Sequence, residues 1–304
     1  MKRTLTLSGL VAAGVLSVVV SASQAPTPAA PQGPRVIDLL KLKDNFYVLT
    51  SAIPGDPNTF SGGNVAVFIT DAGVTLVDSK LAGWGQAMMD KIKTVTNKPV
   101  TRIINTHTHG DHTGNNDFFG ASVEVVAHEN TKANMERMKP FQGEKAQFLP
   151  KKVYKDKLTL GSGKDQIDLF YFGPGHTNGD TWVVFPALRI LQTGDMVAWK
   201  DAPLCDRNNG GSCMAFPKTL ANAVAGIKDV DTVIPGHMAM IKMADIQEYQ
   251  HYMTDFVAAA QAAMKAGKSV DEAVVGLNLS AKYPAYKSER AKGAVQAIYD
   301  EVKQ

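Results

Sequence analysis

The 304-residue sequence contains only two cysteines and almost no excess of charge, with 32 basic against 29 acidic residues. Two thiols are too few for a small fold held together by disulfides or for a zinc site of four thiolates. A formal net charge of +3 argues against a nucleic-acid binder. A share of 20% charged residues at this near-neutral balance argues against disorder. What remains is a chain long enough for a substantial core, with seven histidines whose placement carries the functional information.

The N-terminal residues have the pattern of an export signal followed by a spacer. Two basic residues precede the uncharged apolar stretch Leu5–Ala22, which small residues close. We therefore predict a secretory signal peptide at residues 1–22, a proline-rich spacer at 23–35 and a single periplasmic or secreted domain at 36–304. An uncleaved membrane anchor is the alternative, because the apolar stretch is close to spanning length. After cleavage we expect no stable membrane association.

Strand-like and helical patterns alternate along the rest of the chain, which predicts an α/β fold. Residues 64–77 have the pattern of a hairpin, and apolar residues from Trp84 to Val95 recur at the spacing of an amphipathic helix. Residues 141–190 are expected to be mostly strands. Helices are predicted at Leu220–Ile227 and beyond residue 244, and no internal repeat is evident.

Three histidines and an aspartate fall within six residues, directly after the predicted strand Thr101–Asn105. The segment has the spacing H-x-H-x-D-H and comprises His107, His109, Asp111 and His112. Side chains two positions apart on an extended chain point the same way, so the first two histidines can bind one ion. Gly110 then allows a sharp turn that directs the aspartate and the third histidine toward a second ion. Imidazole and carboxylate are ligands that zinc and similar divalent ions prefer.

Three later residues follow apolar strands in a similar way. His176 and His237 each come after a Pro-Gly pair at a strand end, and Asp195 follows another strand. Alone, a histidine in this position is more often structural, and an aspartate is usually a turn residue. In combination with the first cluster, all three are predicted to be metal ligands.

With these residues in this order, the chain resembles the metallo-β-lactamase-fold hydrolases. Their signature is H-x-H-x-D-H, then a distant histidine, an aspartate and a last histidine, and the resemblance spans about residues 40–240. It implies a four-layer αββα sandwich with the site on loops at one sheet edge. It also implies the metal ligands His107, His109, Asp111, His112, His176, Asp195 and His237. Asp78 falls where the family has a structural aspartate near the metal site.

The resemblance further implies two zinc ions, with iron or manganese as alternative metals. One ion would be held by His107, His109 and His176, the other by Asp111, His112 and His237. Asp195 would bridge both. A hydroxide shared by two such ions can attack a carbonyl or phosphoryl centre, and Asp111 would orient it as the catalytic residue.

Asp195 narrows the reaction that the resemblance implies. The family's β-lactamases proper carry cysteine or serine at the matching position, whereas its hydrolases of thioesters, lactones and phosphodiesters carry aspartate. We therefore expect an exported zinc-dependent hydrolase of an ester, thioester or lactone. β-Lactam hydrolysis is an alternative, because the pair Asp111–His112 also matches a β-lactamase subclass that uses no cysteine ligand, class B3.

Other members of the fold provide further alternatives. Export disfavours glyoxalase II, which depends on glutathione, and no basic cluster near the motifs supports a phosphodiesterase. An iron-dependent oxidoreductase of the persulfide dioxygenase type remains open, as does a binding protein with a vestigial site. The expected partner is a small-molecule substrate, not nucleic acid, and the oligomeric state stays undetermined.

The remaining residues of interest lie on loops. Cys205 and Cys213 enclose a short loop rich in Asn and Gly, and in an oxidising compartment we predict a disulfide between them, with two free thiols as the alternative. Phe60, on a glycine-rich loop, could cover the substrate, as the corresponding hairpin does in relatives; an ordinary loop residue is the alternative. Lys200 and Arg207 could bind a substrate carboxylate, although solvated surface charge is the preferred interpretation.

Two histidines stand apart from the metal cluster. His128 follows an apolar strand and is expected to be structural. His251 falls on the polar face of a predicted helix and is expected to be solvated.

Overall fold

The structure, a computed structural model, describes residues 37–51 and 60–303. The predicted signal peptide at 1–22 and spacer at 23–35 lie outside these residues. Within the described part of the chain, no helix is long and apolar enough to cross a membrane.

Seven strands form the first sheet in the order of the sequence. They are β1 (Ile37–Lys43), β2 (Phe46–Ser51), β3 (Val65–Thr70), β4 (Gly73–Val77), β5 (Val100–Ile104), β6 (Glu124–His128) and β7 (Lys152–Tyr154). The first four pair antiparallel, and β4 to β7 run parallel. The antiparallel pair β3–β4 is the hairpin predicted at residues 64–77.

Five strands form the second sheet in the order β12-β11-β10-β9-β8. Their bounds are β8 (Lys157–Leu160), β9 (Ile167–Phe170), β10 (Trp182–Phe185), β11 (Ile190–Gly194) and β12 (Thr232–Pro235). Only β11 and β12 pair in parallel. In both sheets the parallel strands therefore end toward one edge, where loops can carry functional groups.

Seven α-helices accompany the sheets in the described residues. They are α1 (Gly85–Lys93), α2 (Gly110–Thr113), α3 (Glu129–Arg137), α4 (Phe216–Gly226), α5 (Met243–Lys265), α6 (Val270–Gly276) and α7 (Ala291–Val302). Helix α4 begins four residues before the predicted start, because Pro217 fits the first turn, where its missing N–H has no helical partner.

The expectation that residues 141–190 are mostly strands is wrong at the start of this range. Two short 3₁₀ segments, Lys139–Phe141 and Gly143–Phe148, precede the three-residue strand β7. Pro140 lies in the first segment, and Gly143 has a φ of 60° that an L side chain rarely adopts, so an extended run is interrupted twice.

Three apolar clusters separate the four layers. Phe46, Phe68 and Phe185 pack between the two sheets, with Phe46 and Phe185 ring centroids 4.7 Å apart. Burying each such ring contributes about 2 kcal/mol. A second cluster joins α1 to the outer face of the first sheet, and a third joins α4, α5 and α7 to the outer face of the second. The order of layers is helix, sheet, sheet, helix, which confirms the αββα sandwich.

Candidate metal centre

The motif segment turns sharply where the chain leaves β5. His107 is buried at the strand end, and the backbone carbonyl of His109 accepts hydrogen bonds from the N–H groups of His112 and Thr113, both at 3.0 Å. His109 is therefore the last extended residue before helix α2. This turn separates the first two histidine side chains from Asp111 and His112, as the sequence predicted.

The structure brings the seven predicted ligands into two adjacent groups. The first consists of His107, His109, His176 and Asp195, and the second of Asp111, His112 and His237. Within each group, one candidate ligand atom per residue lies within 4.8 Å of the others. The grouping of the other six side chains is the one that the resemblance implied, whereas Asp195, which the resemblance assigned to both ions, falls in the first group.

Asp195 lies between the two groups. One carboxylate oxygen, Oδ1, is 3.3 Å from Nε2 of His112, and the other, Oδ2, is 3.7 Å from Nε2 of His176 and 3.2 Å from Nε2 of His237. Each oxygen is thus directed to a different set of imidazoles. This geometry suits a carboxylate that is shared by both halves of the centre.

Two glycines permit this close packing. A Cβ at Gly236 would overlap Oδ1 of Asp195, and a Cβ at Gly63 would overlap the imidazole of His112. Any larger residue at either position would displace a candidate ligand.

Asp78 orients one of the histidines from behind. It accepts hydrogen bonds from the backbone N–H of Thr106 at 2.7 Å and from the Thr106 hydroxyl at 2.8 Å, and its Oδ2 lies 2.8 Å from Nδ1 of His112. Because Nδ1 is engaged there, Nε2 of His112 is the ring atom that faces the other candidate ligands. The resemblance implied that Asp78 lies near the centre, and the structure locates it there.

A second acid, Asp206, orients the imidazole of His109 in the same way. Asp206 Oδ2 lies 2.7 Å from Nε2 of His109, so that Nδ1 of His109 faces Nε2 of His176 at 2.9 Å. Asp206 belongs to a loop that a disulfide between Cys205 and Cys213 closes. The loop therefore adjoins the centre through a direct side-chain contact.

Three of the candidate ligands, Asp195, Asp111 and His176, carry the charge that cation binding requires. Burial raises the pKa of Asp195, but His237 and His112 lower it more, so it stays well below its usual value. The pKa of Asp111 falls to about 2, because His112 and His237 outweigh the effect of burial. Burial lowers the pKa of His176 to about 4, which leaves its imidazole neutral and able to donate a lone pair near neutral pH.

Unsatisfied buried atoms indicate that the centre accommodates a cation. Nε2 of His107 and Oδ1 of Asp195 are buried and form no hydrogen bond within residues 37–51 and 60–303. Such orphaned atoms cost free energy unless a ligand satisfies them. Nitrogen and oxygen donors without sulfur suit zinc, iron or manganese. The residues present therefore fit a metal centre.

A cleft with a cavity of about 580 Å³ opens over the candidate ligands His109, Asp111, Asp195 and His237. Two aromatic rings flank the last of these: the ring centroids of Phe60 and Trp199 lie 5.5 Å and 5.2 Å from that of His237. The position of Phe60 fits the expected role as a substrate cover. Trp199 is a cleft residue that the sequence analysis did not identify.

The histidines outside the motifs do not join the centre. His128 stacks on Tyr171 with ring centroids 4.1 Å apart, its Nε2 lies 2.7 Å from the Lys155 carbonyl, and its Nδ1 accepts from the Asn130 N–H at the start of α3. His251 is exposed on α5. Both positions agree with the structural and solvated roles expected for them.

The two basic side chains considered for substrate binding, Lys200 and Arg207, each lie in an ion pair with an acid. Lys200 lies 3.0 Å from Asp245, and Arg207 lies 3.6 Å from Glu301. Lys200 borders the cleft, but its ammonium group is directed to α5. Neither side chain is the free cation that carboxylate recognition needs.

Three residues of the site were missed from sequence. Asp206, Trp199 and Arg290 follow no motif, and each contacts a residue that is remote in the chain. The guanidinium carbon of Arg290 lies 3.8 Å from the ring centroid of Trp199. For Asp206 a signal existed, since the loop that the cysteine pair encloses follows Asp195 closely in the chain.

Comparison with known proteins agrees with this geometry. Residues 58–237 match the model of the metallo-beta-lactamase superfamily. Metallo-beta-lactamase type 2 of Elizabethkingia meningoseptica is 26% identical over 209 residues, which cover 66% of this chain and 78% of that protein. Metallo-beta-lactamase IND-1 of Chryseobacterium indologenes is 26% identical over 178 residues, covering 57% and 71%.

Solved structures show the same fold. The DIM-1 metallo-beta-lactamase superposes with a TM-score of 0.60 at 22% identity, covering 73% of this chain and 98% of its own. A metallo-beta-lactamase from Pontibacter korlensis gives a TM-score of 0.60 at 19% identity, covering 72% and 99%. The family match spans more than half of the chain and ends at the last histidine of the centre. The chain is a metal-dependent hydrolase of the metallo-beta-lactamase superfamily.

Proposed function

We propose that the chain is an exported, zinc-dependent hydrolase that cleaves an ester, thioester or lactone. The observation that carries the proposal is the position of Asp195, a carboxylate rather than a thiol or hydroxyl, between the two groups of candidate ligands. It gives the centre a fully oxygen and nitrogen donor set.

The ligand assignment follows the two groups. His107, His109 and His176 would hold one zinc, Asp111, His112 and His237 the other, and Asp195 would contact both. Bound divalent cations supply Lewis acidity, which makes hydroxide available near neutral pH and stabilises negative charge that develops on the substrate oxygen.

The chain's own residues position the reactants. Asp111 is anionic at neutral pH, since its pKa is about 2, so its carboxylate accepts a hydrogen bond from the attacking water and orients it. Phe60 and Trp199 border the cleft beside His237 and exclude bulk water from the reacting carbonyl. Asp78 and Asp206 keep the rings of His112 and His109 in place.

Export is part of the proposal. A signal peptide at residues 1–22 and a spacer at 23–35 would leave a mature domain of residues 36–304 in the periplasm or outside the cell. The disulfide between Cys205 and Cys213 supports this assignment, because disulfides persist mainly in oxidising compartments. Mass spectrometry of the protein recovered from a periplasmic extract tests it: a mass beginning near residue 23 is expected, and an intact N-terminus in the membrane fraction would contradict cleavage.

β-Lactam hydrolysis is the second candidate. The curated relatives from Elizabethkingia meningoseptica and Chryseobacterium indologenes are both named metallo-beta-lactamases. A lactam, like a lactone, presents a cyclic carbonyl, so the same centre would serve either reaction.

A substrate panel separates the two candidates. Zinc-loaded protein is tested on an aryl ester, a homoserine lactone, an acyl thioester, a nitrocefin-type β-lactam and bis-phenyl phosphate, with the Asp111→Asn variant as the matched inactive control. We expect the highest kcat/KM on one of the three oxygen or sulfur esters. A β-lactam turned over at least about tenfold faster than all of them would favour the second candidate, and turnover that survives Asp111→Asn would contradict the site.

A further inference from the structure

The wall of the cleft opposite the family motifs comes from the C-terminal part of the chain. Residues Ala285, Lys287, Glu289 and Arg290 line the cavity, although the family match ends at residue 237. The guanidinium carbon of Arg290 lies 3.8 Å from the ring centroid of Trp199, whose ring in turn lies 5.2 Å from that of His237. The Arg290 guanidinium therefore packs on Trp199, the ring that also contacts the candidate metal ligand His237.

The Arg290 guanidinium differs from the ammonium groups of the other cleft cations in having no carboxylate partner among the described residues. Only the backbone N–H of Arg290 contacts an acid, donating to Oδ1 of Asp201 at 3.4 Å. Lys200 lies 3.0 Å from Asp245, and Lys287 lies 3.2 Å from Glu289. No carboxylate among residues 37–51 and 60–303 comes within 4.0 Å of the Arg290 guanidinium. Arg290 is therefore the cleft cation whose donors are available to a ligand within the described part of the chain.

We infer that Arg290 binds a carboxylate of the substrate, so that the hydrolase acts on anionic acyl compounds. The inference rests on the proposed function and names the substrate class of the same site. A guanidinium offers a planar pair of N–H donors that matches both oxygens of a carboxylate. Contact with the Trp199 face leaves that donor edge free and reduces the rotamer freedom lost on binding.

The arrangement also orients the rest of the substrate. With its carboxylate on Arg290, an apolar body would lie against Trp199 and Phe60, which both border the cavity. Its carbonyl would then face His237 and Asp111, whose side chains are 3.3 Å apart. The cavity of about 580 Å³ suits a compact molecule of this kind.

Paired substrates that share a scissile bond test the inference. An aryl hemisuccinate carries a free carboxylate, and its methyl ester does not. For Arg290→Ala we expect KM for the hemisuccinate to rise about 10- to 100-fold, with kcat nearly unchanged and the methyl ester unaffected. Arg290→Lys should recover part of the loss, because it keeps the charge but not the paired donors.

Lys292→Ala is the matched control, because it removes one positive charge two residues along the chain, from an exposed side chain that is outside the cleft lining and is paired with Asp271 at 2.7 Å. We expect its KM for the hemisuccinate to stay within about twofold of the wild-type value. Equal increases of KM for both esters in Arg290→Ala, or the same increase in Lys292→Ala, would overturn the inference.

A binding measurement separates this inference from the proposed reaction. Phenylacetate and neutral phenylacetamide are titrated into the zinc-loaded protein while tryptophan fluorescence is recorded, with Trp199→Phe identifying the reporter. We expect phenylacetate to bind more tightly than the amide, and the difference to disappear in Arg290→Ala. If no ester is hydrolysed but Arg290→Ala loses the preference for phenylacetate over the amide, the proposed reaction is wrong and the anion site stands. If esters are hydrolysed and phenylacetate binds Arg290→Ala as tightly as wild type, the anion site is wrong and the reaction stands.

Discussion

The carboxylate of Asp206 lies 2.7 Å from Nε2 of His109, across 97 positions of sequence. This contact fixes which nitrogen of the imidazole faces the centre. We predict that Asp206→Asn weakens the affinity of the first zinc about 10- to 100-fold, because an amide holds the ring less firmly and makes it a poorer donor. Competition with a chromophoric chelator measures the affinity.

Asp90→Asn is the control for this prediction, since Asp90 is exposed on α1 and contacts Gln86 rather than the centre. Unchanged zinc affinity in Asp206→Asn, or an equal loss in both variants, would show that the contact does not support the metal.

The disulfide should matter to the centre as well as to stability. Replacing Cys205 and Cys213 together by serine is expected to lower the free energy of unfolding by about 2 kcal/mol, because a closed loop of 8 residues restricts the unfolded chain. The same variant should release zinc more readily, since the loop carries Asp206. Denaturant unfolding measures the free energy of unfolding, and chelator competition measures the zinc affinity. A destabilised variant that retains wild-type zinc affinity would show that the loop does not support metal binding.

Metal content tests the shared role of Asp195. Purified, zinc-loaded protein is expected to hold about two zinc ions per chain, and Asp195→Ala about one or fewer, since both groups lose a donor. His237→Ala should retain the first ion and lose hydrolysis. Elemental analysis after gel filtration gives the ratio, and two ions in Asp195→Ala would refute the bridging assignment.

The buried ammonium group of Lys80 makes the stability of the folded state depend on pH. Its ammonium nitrogen donates to the hydroxyl of Ser61 and the carbonyl of Gly63, each at 3.0 Å, and burial lowers its pKa from 10.5 to about 7. The folded state therefore loses this proton near pH 7, whereas the unfolded state keeps it to about pH 10.5. Between these values the unfolded state binds more protons, so stability rises with pH.

We expect the unfolding equilibrium constant of the wild type, relative to Lys80→Met, to fall about tenfold per pH unit between about pH 7.5 and about pH 9.5. Urea unfolding of both proteins across this range measures the ratio, and the variant cancels the contribution of all other titrating groups. A ratio independent of pH would show that Lys80 keeps its proton when buried.

Local sequence was sufficient where the chemistry is local. The motif from His107 to His112 required only alternation along a strand and a glycine turn, and both are present. The hairpin β3–β4 and the capping box of Ser269 with Glu272 likewise depend on neighbours in sequence. These elements were predictable because each is determined within a few residues.

Long-range contacts were beyond the sequence patterns. Arg290 meets Trp199, and Asp206 meets His109, only because loops from different layers converge at one edge of the sandwich. No periodicity encodes that convergence, since it depends on strand order and on the packing of α7 against the second sheet. The 3₁₀ segments at 139–148 were missed for another reason: residues from 141 onward were assigned to strands as one stretch, whereas Pro140 and Gly143 interrupt the extended backbone there.

The two sides of the cleft differ in how well they tolerate amino-acid substitutions. On the motif side, a methyl group added at Gly63 or Gly236 already displaces a candidate ligand. On the other side, Ala285, Lys287 and Arg290 are exposed and none of them is a candidate metal ligand, so new side chains there find room without disturbing the centre. A lineage, or a directed library, can therefore acquire a new substrate preference through the C-terminal segment while the hydrolytic machinery stays constant.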